Sequence, residues 1–280
     1  KQQHIELWHR DGVVVIEEFF QKDEISVITS DFIKLYGERG LKNPKLGSLR
    51  GSEYKTQFEI IDVLPYSGTA DLNLISLHPE LISLAKSLLQ VDFVHMYQSH
   101  TWAKFTGLSN YDQGFHCDYG NHTLTAPSTE LTSKTVNFII YVSDVTNALG
   151  PFQYVPKPES QKILGQYALQ QHALWTPKGD SGCQKALKSV GRSVVAPAGS
   201  LIVYGLDLFH RGTNLTQAFG SRYSMTVSYK AAGNDGIGFH VWQQQGERNW
   251  GIIMEHATPE QLNCLGVPLP GSSFWNETTI

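Results

Sequence analysis

The triplet His116-Cys117-Asp118, answered by His210 ninety-four residues later, carries the residue types of a metal site. Side chains on a strand alternate between faces, so His116 and Asp118 point the same way. A second imidazole arriving from another strand completes two nitrogens and one carboxylate oxygen on one face of a metal. That donor set leaves open coordination positions and is the facial triad of non-haem Fe(II) oxygenases. His-x-Asp recurs by chance, so the weight rests on what surrounds each half.

The distal half is well framed. Pro197-Ala198-Gly199-Ser200 reads as a turn, Leu201 to Tyr204 as a strand, and Leu208 to Asn214 brings His210. The next strand then begins at Arg222. A metal-bound co-substrate with a free carboxylate needs a cation beyond the metal, and Arg offers a fixed two-pronged fork of donors. From Arg222 to Lys230 the alternation is clean. Tyr223, Met225, Val227 and Tyr229 share one face, and Arg222, Ser224, Thr226 and Ser228 the other. The polar face belongs either to water or to the inner wall of a ligand-holding barrel.

The elements that must position these residues fall into two groups. The first ninety residues read as helices, Gln2 to Arg10, Lys22 to Tyr36 and Pro79 to about Leu89, with one β-branched strand at Val13 to Ile16. From Asp92 strands take over: Phe93 to Phe105, Val136 to Val142, the strand ending at Tyr204, and Arg222 to Lys230. The expected fold is mainly β with flanking α-helices, around a double-stranded β-helix (jelly-roll, cupin-like) core. No linker composition interrupts the chain. The expectation is one domain over 1–280, with a helical front (1–90), a jelly-roll core (91–235) and a tail (236–280).

Most of the eleven histidines are bystanders. His4, His9, His78 and His256 fall in or beside helices. His95 and His100 lie on the long strand as buried structural groups. His122 and His240 are further candidates for the pocket wall.

Bulk properties narrow the class. A net charge of −4 and a pI near 6.3 argue against nucleic acid and anionic membrane surfaces. Three cysteines, none in a C-x-x-C, point to a reducing compartment without a zinc knot. The sequence shows no apolar run of bilayer length, and the expectation is a chain without a signal peptide. The expectation is a cytoplasmic monomer or homodimer acting on a small molecule.

With these residues in place, the chain resembles the phytanoyl-CoA dioxygenase family of Fe(II)/2-oxoglutarate-dependent oxygenases. The likeness runs through Trp8-His9-Arg10-Asp11-Gly12, Phe115-His116-Cys117-Asp118, Tyr141 to Phe152, and Pro197 through His210 to Asn214 and Arg222. It extends to Ala257-Thr258-Pro259-Glu260-Gln261 and Pro268-Leu269-Pro270-Gly271. The resemblance implies His116, Asp118 and His210 as iron ligands and Arg222 as the 2-oxoglutarate anchor. Ser224, Thr213, Gln98 and Lys104 are its implied helpers, with O₂ as second co-substrate. Tyr119, Asn121, Trp102 and Trp175 are candidates for substrate contact.

Two departures stand out. Val155-Pro156-Lys157-Pro158-Glu159-Ser160 replaces the Pro-Gly-Ser-His common in the family, and the stretch from His210 to Arg222 is slightly long. Related halogenases replace the carboxylate ligand with a small residue; Asp118 is retained, which favours oxygenation. The implied activity is oxidation of a metabolite by hydroxylation, desaturation or cyclisation, in natural-product biosynthesis. Two other readings compete: a cupin-like isomerase using another metal, and a non-catalytic jelly-roll binding protein.

Overall fold

The computed structural model describes residues 2–37, 61–106, 112–118, 135–165, 181–234, 236–237, 240–242 and 247–279. The strands, in chain order, are β1 (Val13–Ile16), β2 (Ile61–Val63), β3 (Val94–Phe105), β4 (Thr135–Tyr141), β5 (Phe152–Val155), β6 (Arg192–Ser193), β7 (Leu201–Tyr204), β8 (Phe209–Gly212) and β9 (Ser221–Ala231). They build a larger antiparallel sheet in the order β1-β7-β4-β9-β3-β2 and a smaller one in the order β6-β5-β8. Val13, Ile139, Ile202 and Tyr204 of the larger sheet share an apolar cluster with Phe152 of the smaller one. The fold is the jelly roll expected from the strand pattern.

The helical front does more than cover this core. Its two short strands, β1 and β2, form both edges of the larger sheet. Helix α1 (Gln2–Asp11) runs directly into β1 through Gly12 at φ +76°. Helix α2 (Lys22–Tyr36) starts in a capping box, with Glu24 accepting from the Gln21 N–H at 2.8 Å. Its apolar residues Ile25, Ile28, Phe32 and Tyr36 recur at helical spacing and are buried. Helix α3 (Pro79–Leu89) opens with Pro in its first turn and stops at Gln90 in the left-handed region.

These helices cap the outer face of β3, β9 and β4. Met225, Val227 and Tyr229 of β9 join Phe32, Leu81 and Phe138 in one large cluster. Ser99 and Thr101 of β3 also point outward, yet they are fully buried. The hydroxyls of Tyr66 and Tyr36 meet them there, each at 2.5 Å. Buried polar groups on a strand are tolerated when so paired.

The opposite, polar face of β9 is not a solvent face either, because its residues line the space between the two sheets. Arg222, Ser224 and Ser228 are all buried, pointing inward between the sheets. Register then fixes their neighbours. On β3, Lys104 stands opposite Arg222, Trp102 opposite Ser224, His100 opposite Thr226 and Gln98 opposite Ser228. On β4, Tyr141 stands opposite Ser224 and Asn137 opposite Ser228.

Candidate metal centre and cavity

Residues 112–118 lie alongside β8 and carry the triplet in an extended segment with a single bridge, not in a regular strand. His116 and His210 exchange backbone hydrogen bonds of 3.0 and 2.9 Å, so the two imidazoles start from directly opposed positions. Gln113 adds two more ties: its N–H donates to the Gly212 carbonyl at 3.0 Å, and its side-chain carbonyl accepts from the Gly212 N–H at 2.7 Å. From the other side, Gln184 on helix α4 (Ser181–Val190) clamps Phe115. Its amide accepts from the Phe115 N–H and donates to the Phe115 carbonyl, both at 2.8 Å. Arg211 reaches Asp112 at 2.6 Å and lies 5.3 Å from the Phe115 ring centre.

This scaffold aims the donors. Nδ1 of His116 lies 3.0 Å from the Gly114 carbonyl, and Nδ1 of His210 lies 3.0 Å from the Leu208 carbonyl. A carbonyl only accepts, so both neutral rings carry their proton on Nδ1 and present the Nε2 lone pair. Backbone carbonyls orient metal-binding imidazoles in this way. His116 Nε2 is 3.8 Å from Asp118 Oδ1, and His210 Nε2 is 3.5 Å from Asp118 Oδ2. One ligand atom from each residue can be chosen so that all three lie within 4.8 Å of one another. Octahedral ligands at about 2.1 Å from an ion sit roughly 3 Å apart. The group is somewhat more open than that spacing, and two imidazoles with one carboxylate suit a divalent transition metal.

The group opens on a cavity of about 380 Å³ between the sheets. At one end lie two buried cations. Arg222 donates from Nη1 to the Gly150 carbonyl, while its Nε is buried without a partner. Lys104 donates to the Thr213 carbonyl at 3.3 Å. Burial, reinforced by the Arg222 charge, pushes the Lys104 ammonium well below the ordinary lysine range, against an opposing pull from Asp112. Burial lowers Arg222 as well. No carboxylate among the described residues pairs with either cation. Two like charges held out of water call for an anion.

The family model described as Phytanoyl-CoA dioxygenase (PhyH) matches residues 8–224, a span that contains the three donors, both cations and most of both sheets. The chain belongs to the phytanoyl-CoA dioxygenase family. No curated protein matches it. Among solved structures, the epimerase SnoN, in complex with Fe3+, alpha ketoglutarate and nogalamycin RO, has a TM-score of 0.57 at 14% identity, covering 82% of this chain and 83% of that one. The carbocyclase SnoK from nogalamycin biosynthesis gives 0.57 at 17% identity over 88% of each chain. EctD from S. alaskensis, with 2-oxoglutarate and 5-hydroxyectoine, gives 0.60 at 15% identity, covering 82% and 76%. At these identities the likeness establishes the shared fold.

As a PhyH-family chain, the protein is an enzyme of the iron- and 2-oxoglutarate-dependent class expected from its sequence. Gln98, Trp102, Lys104, Arg222 and Ser224 line the same cavity as His116, Asp118 and His210. Thr213 is placed differently: its hydroxyl donates to the Pro151 carbonyl at 2.7 Å, and it offers Lys104 its own carbonyl. Tyr119, Asn121, Trp175 and His122 lie outside the described residues. His240 is exposed and absent from the described lining. His100, read from sequence as structural, faces the cavity between Gln98 and Trp102. Strand parity alone could have placed it there. Gln113, Gln184 and Tyr204 carried no such signal, because their partners are distant in sequence.

Proposed function

We propose that the chain is an Fe(II)/2-oxoglutarate oxygenase, a single domain over 1–280, that oxidises a polar, mid-sized metabolite. His116, Asp118 and His210 hold the metal, and Arg222 with Lys104 holds the far carboxylate of 2-oxoglutarate. The observation that carries this reading is the coexistence, in one cavity, of a three-donor face and a buried cation pair that lacks an anion. A cupin-like isomerase or a passive binding protein leaves that cation pair without a task. When bound, iron with 2-oxoglutarate and O₂ supplies the oxidising power for C–H cleavage.

The chain's own residues do the rest. Arg222 and Lys104 fix one end of the co-substrate by charge, and Ser224 lies on the same face one step along β9. The paired sheets bury His210 and most of Asp118, while His116 stays partly open to solvent. Gln98, His100, Thr226 and Ser228 give the remaining wall hydrogen-bonding capacity. That wall suits a substrate bearing hydroxyl, amide or carboxylate groups better than a fatty acyl chain. SnoN and SnoK act in nogalamycin biosynthesis, and a similar place in natural-product tailoring fits this cavity.

Anaerobic titration with Fe(II) and 2-oxoglutarate tests the reading. A weak visible charge-transfer band is expected in the wild type and lost in His116→Ala. Arg222→Ala is expected to weaken 2-oxoglutarate binding about 30-fold or more, since truncating one side of a buried charged contact costs about 2 kcal/mol at least. Unchanged 2-oxoglutarate affinity in that variant would remove Arg222 from the co-substrate site.

A further inference from the structure

Tyr204 ends β7 inside the cavity, and neither metal ligation nor the cation pair accounts for it. Its ring packs against Phe152 and His210, with centroids 5.4 and 4.9 Å away. Its hydroxyl donates to Oδ2 of Asp118 at 3.1 Å, and both side chains are buried. Other buried phenols of the protein are satisfied by neutral groups: Tyr223 and Tyr229 by the carbonyls of Gly37 and Ser76, Tyr36 and Tyr66 by the hydroxyls of Thr101 and Ser99. Tyr204 instead meets the one carboxylate of the donor group.

We infer that Tyr204 is a positioning residue of the metal centre, holding the plane of the Asp118 carboxylate so that Oδ1 is the oxygen offered to the metal. The inference rests on the metal-centre reading above. Its physical basis is simple. A carboxylate turns easily about its last side-chain bond, and a carboxylate free to turn can bind a cation through one oxygen or through both. A donated hydrogen bond draws charge from Oδ2 and resists rotation, and bonds to charged groups are the stronger kind. The consequence reaches the reaction. A metal held through a single oxygen of Asp118 would keep its remaining positions open for co-substrates. Ligation by both Asp118 oxygens would take one of them. The aromatic contacts add to the control, because the residue that steers Asp118 also packs on the His210 ring.

Tyr204→Phe keeps the ring and removes only the hydroxyl. The probe is Co(II), whose visible spectrum reports coordination number. The readouts are the Co(II) dissociation constant, the spectrum of the Co(II) protein, and the thermal midpoint of the metal-free protein. Tyr204→Phe is expected to weaken Co(II) binding about tenfold, in the range for outer partners of metal ligands. It should also change the Co(II) bands while leaving the metal-free midpoint close to wild type. In an Asp118→Ala background the same substitution should have no further effect on Co(II) affinity. Wild-type affinity and spectrum in Tyr204→Phe would overturn the inference, as would an equal loss in the Asp118→Ala background. If the wild-type protein itself bound no Co(II), the metal-centre reading would fall and the role of Tyr204 with it.

Discussion

Lys104 and Arg222 face each other across the β3–β9 ladder, both buried and both directed into the cavity that holds the three donors. They are adjacent because two strands pair, not because their charges attract. Folding therefore brings two cations together at an electrostatic cost, and an anionic ligand relieves it. With 2-oxoglutarate as that ligand, as proposed above, the stability of the empty protein and the affinity for the co-substrate are coupled in opposite directions.

Lys104→Met exposes that coupling. Methionine retains the length of the side chain and its apolar packing while removing the charge. Replacing buried charge by a similar apolar volume stabilises proteins by about 1 kcal/mol or more. The thermal midpoint without 2-oxoglutarate should therefore rise, by roughly 2–4 °C. The 2-oxoglutarate dissociation constant should rise at the same time, by about tenfold or more. A fall in both stability and affinity would mean that Lys104 is needed for the fold, and would count against its pairing with the ligand.

The same lysine sets a pH dependence. Its pKa in the empty protein is pushed well below the ordinary 10.5, chiefly by burial. Between that lowered value and 10.5, Lys104 is neutral in the folded empty protein and charged in the unfolded chain. The unfolded chain then binds more protons, so this group's contribution to stability increases with pH across the window. A dianionic ligand favours the charged form, so binding takes up a proton. Affinity for 2-oxoglutarate should accordingly fall as pH rises through the window, by at most about tenfold per pH unit. Calorimetry in buffers of different ionisation heat would show the proton uptake, and Lys104→Met should abolish this component.

Gly150 is the backbone support of the other cation. It sits at φ +66°, and a Cβ there would lie 2.5 Å from the Thr213 carbonyl oxygen. Its own carbonyl accepts from Arg222. Gly150→Ala should cost about 1–2 kcal/mol from the left-handed conformation alone, and the contact with Thr213 must be relieved in addition. Because any shift moves both the acceptor of Arg222 and the acceptor of Lys104, 2-oxoglutarate affinity should fall together with the thermal midpoint. A stability loss with wild-type affinity would uncouple this turn from the cation pair.

Much of this was legible before folding. Period-2 alternation over Arg222 to Lys230 identified the two faces of β9, and the structure chooses between water and cavity for the polar one by burying Arg222, Ser224 and Ser228 in the cavity wall. The His116-Cys117-Asp118 spacing correctly put two donors on one side of an extended segment. What the spacing could not carry was the regularity of that segment, which is imposed by Gln113, Gln184 and the backbone of β8 and not by local propensity. Lys104 could be named only from family resemblance, since its pairing with Arg222 is a matter of register between strands more than one hundred residues apart. Thr213 shows the converse. The family resemblance implies it as a helper of the co-substrate site, and its hydroxyl donates to the Pro151 carbonyl while its own carbonyl accepts from Lys104.

Gln184 gives the most direct test of whether the proposed metal ligands are held from outside the cavity. Its side-chain amide both accepts from and donates to the backbone of Phe115, the residue before His116. An amide can do both, whereas an ionised carboxylate retains only the accepting half and sets an anionic oxygen against the Phe115 carbonyl. Gln184→Glu should therefore disturb the segment more selectively than a truncation, which removes both bonds. Each lost bond is worth about 1 kcal/mol, so a modest drop in thermal midpoint is expected for Gln184→Ala. Divalent metal affinity should fall about tenfold in both variants, because His116 loses its fixed approach to Asp118 and His210. The measurement that separates orientation from general destabilisation is metal affinity at a temperature well below both midpoints. If Gln184→Glu bound metal as tightly as wild type there, helix α4 would be a lid on the sheet edge and not a support of the centre.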